Sequence, residues 1–281
     1  MSNTQVAAQA NGMTLGELMH SPAVVGKLNE VWNNPQMANS FMSSVISVAN
    51  GNPQLRRADP MSIIGASMVA ATMQLQVIPT LGQCYIVPYG SKAQFQVGYL
   101  GLLQLCQRSG QFKKILAAPV HEGEYVSGDE FNEDYVFDKK QKTSDKIIGY
   151  MAKFELLNGF TKVAYWEVER VKAHATKFSQ AFRSGYNSPW KSDFDAMAMK
   201  TVLKSILKFA PKSIEMQNAV TFDQAVVQVN SSDIQDLDID AFAPEYVDNL
   251  ESQKTDAIAA AAAEAAKNAA AKKEDKKEDK K

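Results

Sequence analysis

Lys200, Lys204 and Lys208 recur at every fourth position, and Lys212 prolongs the row. No Asp or Glu lies between Asp195 and Glu215. On one helix the row spans about 18 Å at a rise of 1.5 Å per residue, roughly the length of five phosphates along one nucleic-acid strand. Like charges four residues apart cost roughly 0.2–0.5 kcal/mol per pair. A face selected for stability alone would place glutamates between such lysines. Thr201 and Ser205 project on the lysine side, where their hydroxyls can donate to phosphate oxygens, and Trp190 and Phe194 can offer ring faces to bases. The competing reading is solubilising lysines and core aromatics, and the row alone does not decide between the two.

The segment that carries this row predicts one helix from Ser188 to Pro211. Ser188 is a suitable N-cap, Pro189 suits the first helical position, and Pro211 stops the helix. Ala196, Met199, Leu203, Ile206, Leu207 and Ala210 share its apolar face. A second wall is expected from Cys84–Tyr89 and Ala93–Val97, two strands around Gly90-Ser91, followed by an apolar helix over 99–109. Lys92 sits at the hairpin tip, and Gln94 and Gln96 give one face that is polar but uncharged. Tyr99 begins the helix, and Arg108, Lys113 and Lys114 cluster at its far end. Dipole compensation and solubility explain those three as well as phosphate contact does. Phe182 and Arg183 lie in an aromatic, cationic linker that leads into the lysine helix.

Asn158-Gly159, between alternating runs at 147–157 and 160–168, is the strongest short hairpin signal in the chain. No strand–helix–strand alternation supports a parallel sheet. The expected class is α+β, a small antiparallel sheet from two hairpins packed with several helices. Residues 1–54 read as a helical N-terminal arm, for domain packing or for oligomerisation by subunit exchange, residues 55–228 as the core, and residues 229–281 as an acidic, then Ala/Lys-rich tail. The formal net charge of −1 over 281 residues conceals a split. Residues 1–228 hold 22 basic and 18 acidic side chains, and residues 229–281 hold 8 and 13. A basic body with an acidic extension suits nucleic-acid binding.

Several classes find no motif. There is no phosphate-binding loop of the G-x-x-x-x-G-K-[ST] type, and Gly98-Tyr99-Leu100-Gly101 is not a dinucleotide fingerprint. His20, His121 and His174 are scattered, and no serine sits in a nucleophile elbow. Cys84 and Cys106 lie among apolar residues and read as free buried thiols. No apolar run approaches the length of a membrane span and no leader pattern opens the chain, so a cytoplasmic location is expected. The run Glu122, Glu124, Asp129, Glu130, Glu133, Asp134 and Asp138 has the charge a metal-dependent nuclease needs. Its spacing fits no metal loop, and a solvated surface segment is the plainer reading.

The segments D-P-M-S-I-I-G-A-S-M-V-A-A-T-M-Q-L, Y-I-V-P-Y, F-Q-V-G-Y-L-G-L-L-Q-L-C-Q-R-S-G and P-W-K-S-D-F-D-A-M-A-M-K-T resemble, in matching order over roughly 55–228, the RecT family of phage and prophage single-strand annealing recombinases. The resemblance implies a DNA-binding protein that pairs complementary strands without ATP, oligomerises as a ring or helical filament, and is not an enzyme. It implies a partner exonuclease and contact of the C-terminal tail with the host single-stranded-DNA-binding protein. No cofactor is expected beyond Mg2+ as a DNA counterion. The expected DNA-binding set is Lys92, Gln94, Gln96, Tyr99, Arg108, Lys113, Lys114, Phe182, Arg183, Trp190, Lys200, Thr201, Lys204 and Lys208. Rival activities are a metal-dependent nuclease and a plain coat for single strands.

Overall fold

The computed structural model describes residues 13–185, 188–227 and 245–246. The chain divides into a large unit, Met1–Pro244, and a second unit, Glu245–Lys281. Most of the expected tail lies outside the described residues; only Glu245–Tyr246, a short strand, is described there.

Three helices open the large unit: α1 (Leu15–Met19), α2 (Pro22–Trp32) and α3 (Pro35–Gly51). Each starts where local chemistry dictates. Thr14 and Glu17 form a capping box before α1, and Asn34 accepts from Gln36 and Met37 at the start of α3. Their apolar faces, with Leu18, Met19, Leu28, Phe41 and Val45, join the same core as the rest of the unit. They pack around α4 (Pro60–Thr72), whose Ile63, Ile64, Met68 and Val69 are all buried. The helix ends at Thr72 and is buried on every side, between α1–α3 and the first sheet.

That sheet contains β1 (Cys84–Tyr89), β2 (Lys92–Val97) and the short β8 (Ala225–Val226), all antiparallel. Gly90 makes the hairpin turn at φ +57°, in the left-handed region that glycine adopts freely. Helix α5 (Tyr99–Arg108) follows directly. A Cβ on Gly98 or Gly101 would stand 2.0 Å from the carbonyl oxygen of Gly82 or Gln83. These two glycines, which match no nucleotide motif, let the start of α5 lie against that backbone and fix Tyr99 in place.

The second sheet has the order β3 (Phe112–His121), β6 (Ile147–Leu156), β7 (Thr161–Glu167). Asn158 Oδ1 accepts from Phe160 N in the β6–β7 turn. Between β3 and β6 stands a separate hairpin, β4 (Tyr125–Asp129) and β5 (Asp134–Phe137). Helices α6 (Val168–Phe178), α7 (Gln180–Arg183), α8 (Pro189–Ser192), α9 (Phe194–Leu207) and α10 (Ile214–Thr221) complete the unit. The class is α+β with small antiparallel sheets, and the two expected hairpins lie in different ones. Helix α9 packs on the face of the second sheet that buries Tyr150, Ala152, Phe154 and Leu156. The Tyr150 hydroxyl donates to Asp195, which anchors the start of α9 to β6. Cys84 and Cys106 are free and buried, and burial raises both thiols, Cys106 to about 12.

One element departs from expectation. The helix expected from Ser188 to Pro211 is two: Asp193 leaves the helical region at φ −150° and restarts α9 by accepting from Ala196 N. Ser188 precedes α8 without a side-chain capping bond. The final helix stops at Thr221, where Phe222–Gln224 turn the chain into β8 and Gln224 N donates to Phe95 O at 2.8 Å.

Candidate nucleic-acid interface

A cleft of about 340 Å³ opens between the β1–β2/α5 wall and the α8–α9 wall. Gln96, Gly98 and Tyr99 line one side, and Pro189, Ser192, Asp193, Met197 and Lys200 the other. Two elements far apart in sequence thus meet as the sequence reading placed them. The floor is largely apolar, with Val77, Ile86, Val87 and Pro88. Burial, then the nearby Asp193 carboxylate, raises the Tyr85 hydroxyl, so this lining residue stays a neutral donor.

The lysine row needs correcting. Lys200 is only 3 % exposed. Its Nζ stands 2.7 Å from Asp223 Oδ1, and Lys204 Nζ stands 2.6 Å from Asp223 Oδ2. Asp223 Oδ1 also accepts from Val97 N at 3.1 Å, tying β2 to the cluster. The row therefore has a counter-charge, supplied by a turn 19 residues beyond Lys204. Counting carboxylates along the helix could not reveal it. Burial pushes the Lys200 ammonium down, against the pull of Asp223. Burial alone would raise the Asp223 carboxyl; Lys200 and Lys204 outweigh it and hold Asp223 below the usual carboxylate range. Two ammoniums against one carboxylate leave this buried cluster with an excess positive charge at the cleft wall.

The other expected residues fall into three groups. Gln94 and Gln96 are both buried, so β2 is covered on both faces and not polar on one. Gln96 Nε2 donates to Met197 Sδ across the cleft. Trp190 is 6 % exposed and packs edgewise between Phe182 and Phe194, so its ring is part of the wall and not a free stacking platform. The Thr201 hydroxyl donates back to Met197 O. Arg108 closes a helix end: its guanidinium donates to the carbonyls of Met73 and Gln74 beyond α4. Arg183 does the same for Thr176 and Lys177 at the end of α6. Lys113 pairs with Glu155 at 2.5 Å. Lys114 is exposed, and Lys92 and Lys208 stand at the hairpin and helix ends.

Cations the sequence reading passed over stand near the cleft. Arg56 and Arg57 are exposed on the 3-10 turn that supplies Leu55 to the lining, and Lys191 is exposed on α8 between Pro189 and Ser192. Nothing in local spacing marks them; only the position of their neighbours does.

The acidic run is spoken for inside the fold. Glu124 accepts from His121 N and its ring, Glu122 from Ser144, and Asp138 from Lys140 N. Glu130 pairs with Arg170 and Glu133 with Lys162. Among the described residues no three His, Cys, Asp or Glu side chains converge as metal ligands. No helix among them is long and apolar enough to cross a membrane.

The unit is α+β, with a cleft between a hairpin and a helix that carries buried lysine. The comparisons give the class its name. Residues 39–237 match the RecT family, and the chain belongs to that family, and so to the recombination and strand-annealing class. It is 41 % identical over 250 residues to the uncharacterized protein YqaK of Bacillus subtilis (strain 168), covering 89 % of this chain and 84 % of that one. It is 29 % identical over 189 residues to protein RecT of Escherichia coli (strain K12), covering 61 % of this chain and 66 % of that one.

Proposed function

We propose that the protein anneals complementary single strands of DNA without ATP, and that the cleft holds the first strand. The observation that carries this is the convergence of Tyr99, Gln96 and Lys200, itself paired with Asp223 behind the wall, on one cleft in a chain of the RecT family. The Lys200–Asp223–Lys204 cluster supplies a fixed positive field, and Lys191, Arg56 and Arg57 supply outward cations for phosphates. Contact with phosphates carries no sequence information, as an annealing protein requires. Bases on the open side stay free to test a second strand. Tyr99, half-buried at the start of α5, offers a ring to a base. Trp190, Arg108 and Arg183 serve by holding the walls in shape.

In this reading no residue is catalytic and Mg2+ acts only as a counterion. The protein assembles on DNA as a ring or filament, contacts both single strands and annealed duplex, and works beside an exonuclease and the host single-stranded-DNA-binding protein. The test is direct. Two complementary labelled oligonucleotides are mixed with the protein and magnesium, without nucleotide. Accelerated pairing of intact strands supports annealing. Protected strands that do not pair faster indicate a coat, and shortened strands indicate a nuclease.

A further inference from the structure

From the end of β7 along α6, aromatic rings and cations lie along one line. Trp166, Arg170, His174 and Phe178 are spaced four apart, from the end of β7 along α6. The Arg170 guanidinium lies over the Trp166 ring, 4.5 Å from its centroid. The His174 ring is 5.6 Å from Trp166 and 4.6 Å from Phe178. Lys177 Nζ is 5.2 Å from the Phe178 ring, which is 58 % exposed. Beside this row, Lys162 stands over the exposed ring of Phe209 at 4.0 Å. Burial lowers the His174 pKa, and the charges of Lys204, Lys208 and Lys177 lower it further. A neutral ring thus lies within a positive field.

Core packing does not require such a line, because its rings are part-exposed. Ring faces interleaved with cations are the surface that single strands use: bases stack and phosphates pair. What covers the line is also informative. The tip of the β4–β5 hairpin sets Glu130 on Arg170 at 2.9 Å and Glu133 on Lys162. Phe131, between them, is fully exposed. Two carboxylates three residues apart occupy cations where successive phosphates of a strand would sit.

We propose that the line Trp166–Arg170–His174–Phe178, with Lys162 and Phe209, is a second contact surface for single-stranded nucleic acid, and that the acidic tip of the β4–β5 hairpin occupies it until a strand displaces the two glutamates. The proposal rests on the DNA reading of the cleft. Exposed ion pairs such as Glu130–Arg170 are weak and easily exchanged, so the tip can yield to a polyanion without unfolding the sheet.

The experiment uses the full chain and a fluorescent thymidine oligonucleotide, followed by anisotropy over a salt series. Phe178→Ala and Arg170→Ala remove exposed groups and are checked for folding by circular dichroism. Phe178→Ala should weaken binding about 5-fold or more, the effect of losing one base stack. Arg170→Ala should lower the salt slope by about 0.7, the value for one phosphate of a single strand. The double variant Glu130→Gln/Glu133→Gln should bind tighter at low salt, with the gain vanishing at high salt. Folded single variants that bind with wild-type affinity and slope overturn the proposal. So does a glutamine variant that binds no tighter, or one that changes only the oligomer size without DNA. If the wild-type protein binds no single strand at all, the reading of the cleft fails as well.

Discussion

Two groups of cations flank α9, and they are built on opposite rules. On the cleft side Lys200 is buried and shares Asp223 with the part-exposed Lys204. On the α6 side Arg170 is exposed and paired with Glu130 from the tip of a surface hairpin whose Phe131 is fully exposed. A buried charge must be neutralised within the fold, because removing one partner strands the other at a cost of about 3–5 kcal/mol. An exposed pair is worth about 0–1 kcal/mol and can change partners. The cleft thus has a field set in advance by folding, whereas the α6 side has a surface whose anion is exchangeable.

The comparison breaks most readily at Asp223. Asp223→Ala should lower unfolding stability by about 3–5 kcal/mol, read from urea denaturation; a loss below about 1 kcal/mol would mean that the cluster does not clamp β2 to α9. The same carboxylate sets an acid limit. Its folded-state pKa lies below the unfolded value of about 3.9. Its contribution is therefore complete above about pH 4 and is lost as pH falls through the lower folded-state value. Denaturation midpoints measured downward from pH 5 should show this loss in the wild type and a shallower one in Asp223→Asn.

Smaller effects sharpen the division between binding and framework. Tyr99→Ala should cost single-strand binding about 1–3 kcal/mol, the range for one base stack, with the denaturation midpoint little changed. Arg108→Ala should do the reverse. It frees the Met73 and Gln74 carbonyls, costs stability of about 1–3 kcal/mol, and leaves the salt slope of DNA binding intact. A slope lower by about 0.7 would make Arg108 a phosphate contact after all. Least affected is Lys113→Ala, which opens an exposed pair with Glu155 and should change stability by less than about 1 kcal/mol. A larger loss would show that position on the sheet edge, and not burial, decides what an ion pair contributes.

Much of this was legible along the chain. Turn chemistry placed both main hairpins: Gly90-Ser91 and Asn158-Gly159 leave the backbone few alternatives. Helix starts at Thr14, Asn34 and Asp59 follow from caps. Tyr99, Gln96 and Lys200 meet in one cleft, and the sequence had set them on two facing walls, the hairpin with its following helix and the lysine row. What the sequence concealed depends on distant partners. Asp223 neutralises lysines from another element, Arg108 caps a helix through a carbonyl 35 residues earlier, and Trp190 is enclosed by Phe182 and Phe194. Periodicity reports which face of a helix is apolar; it cannot report what the opposite face meets. Asp193 lies inside the segment read as one continuous helix, yet it is the residue at which that helix breaks and restarts.

The central claim is that a single strand lies in the cleft between β2/α5 and α8/α9. Photo-crosslinking tests it most directly: a thymidine oligonucleotide with photoreactive bases is bound to the full chain, irradiated, and the attached peptides are identified by mass spectrometry. The account predicts adducts within 85–99, with Tyr99 foremost, and within 189–200. A strand that binds tightly yet leaves both segments unmodified would contradict it.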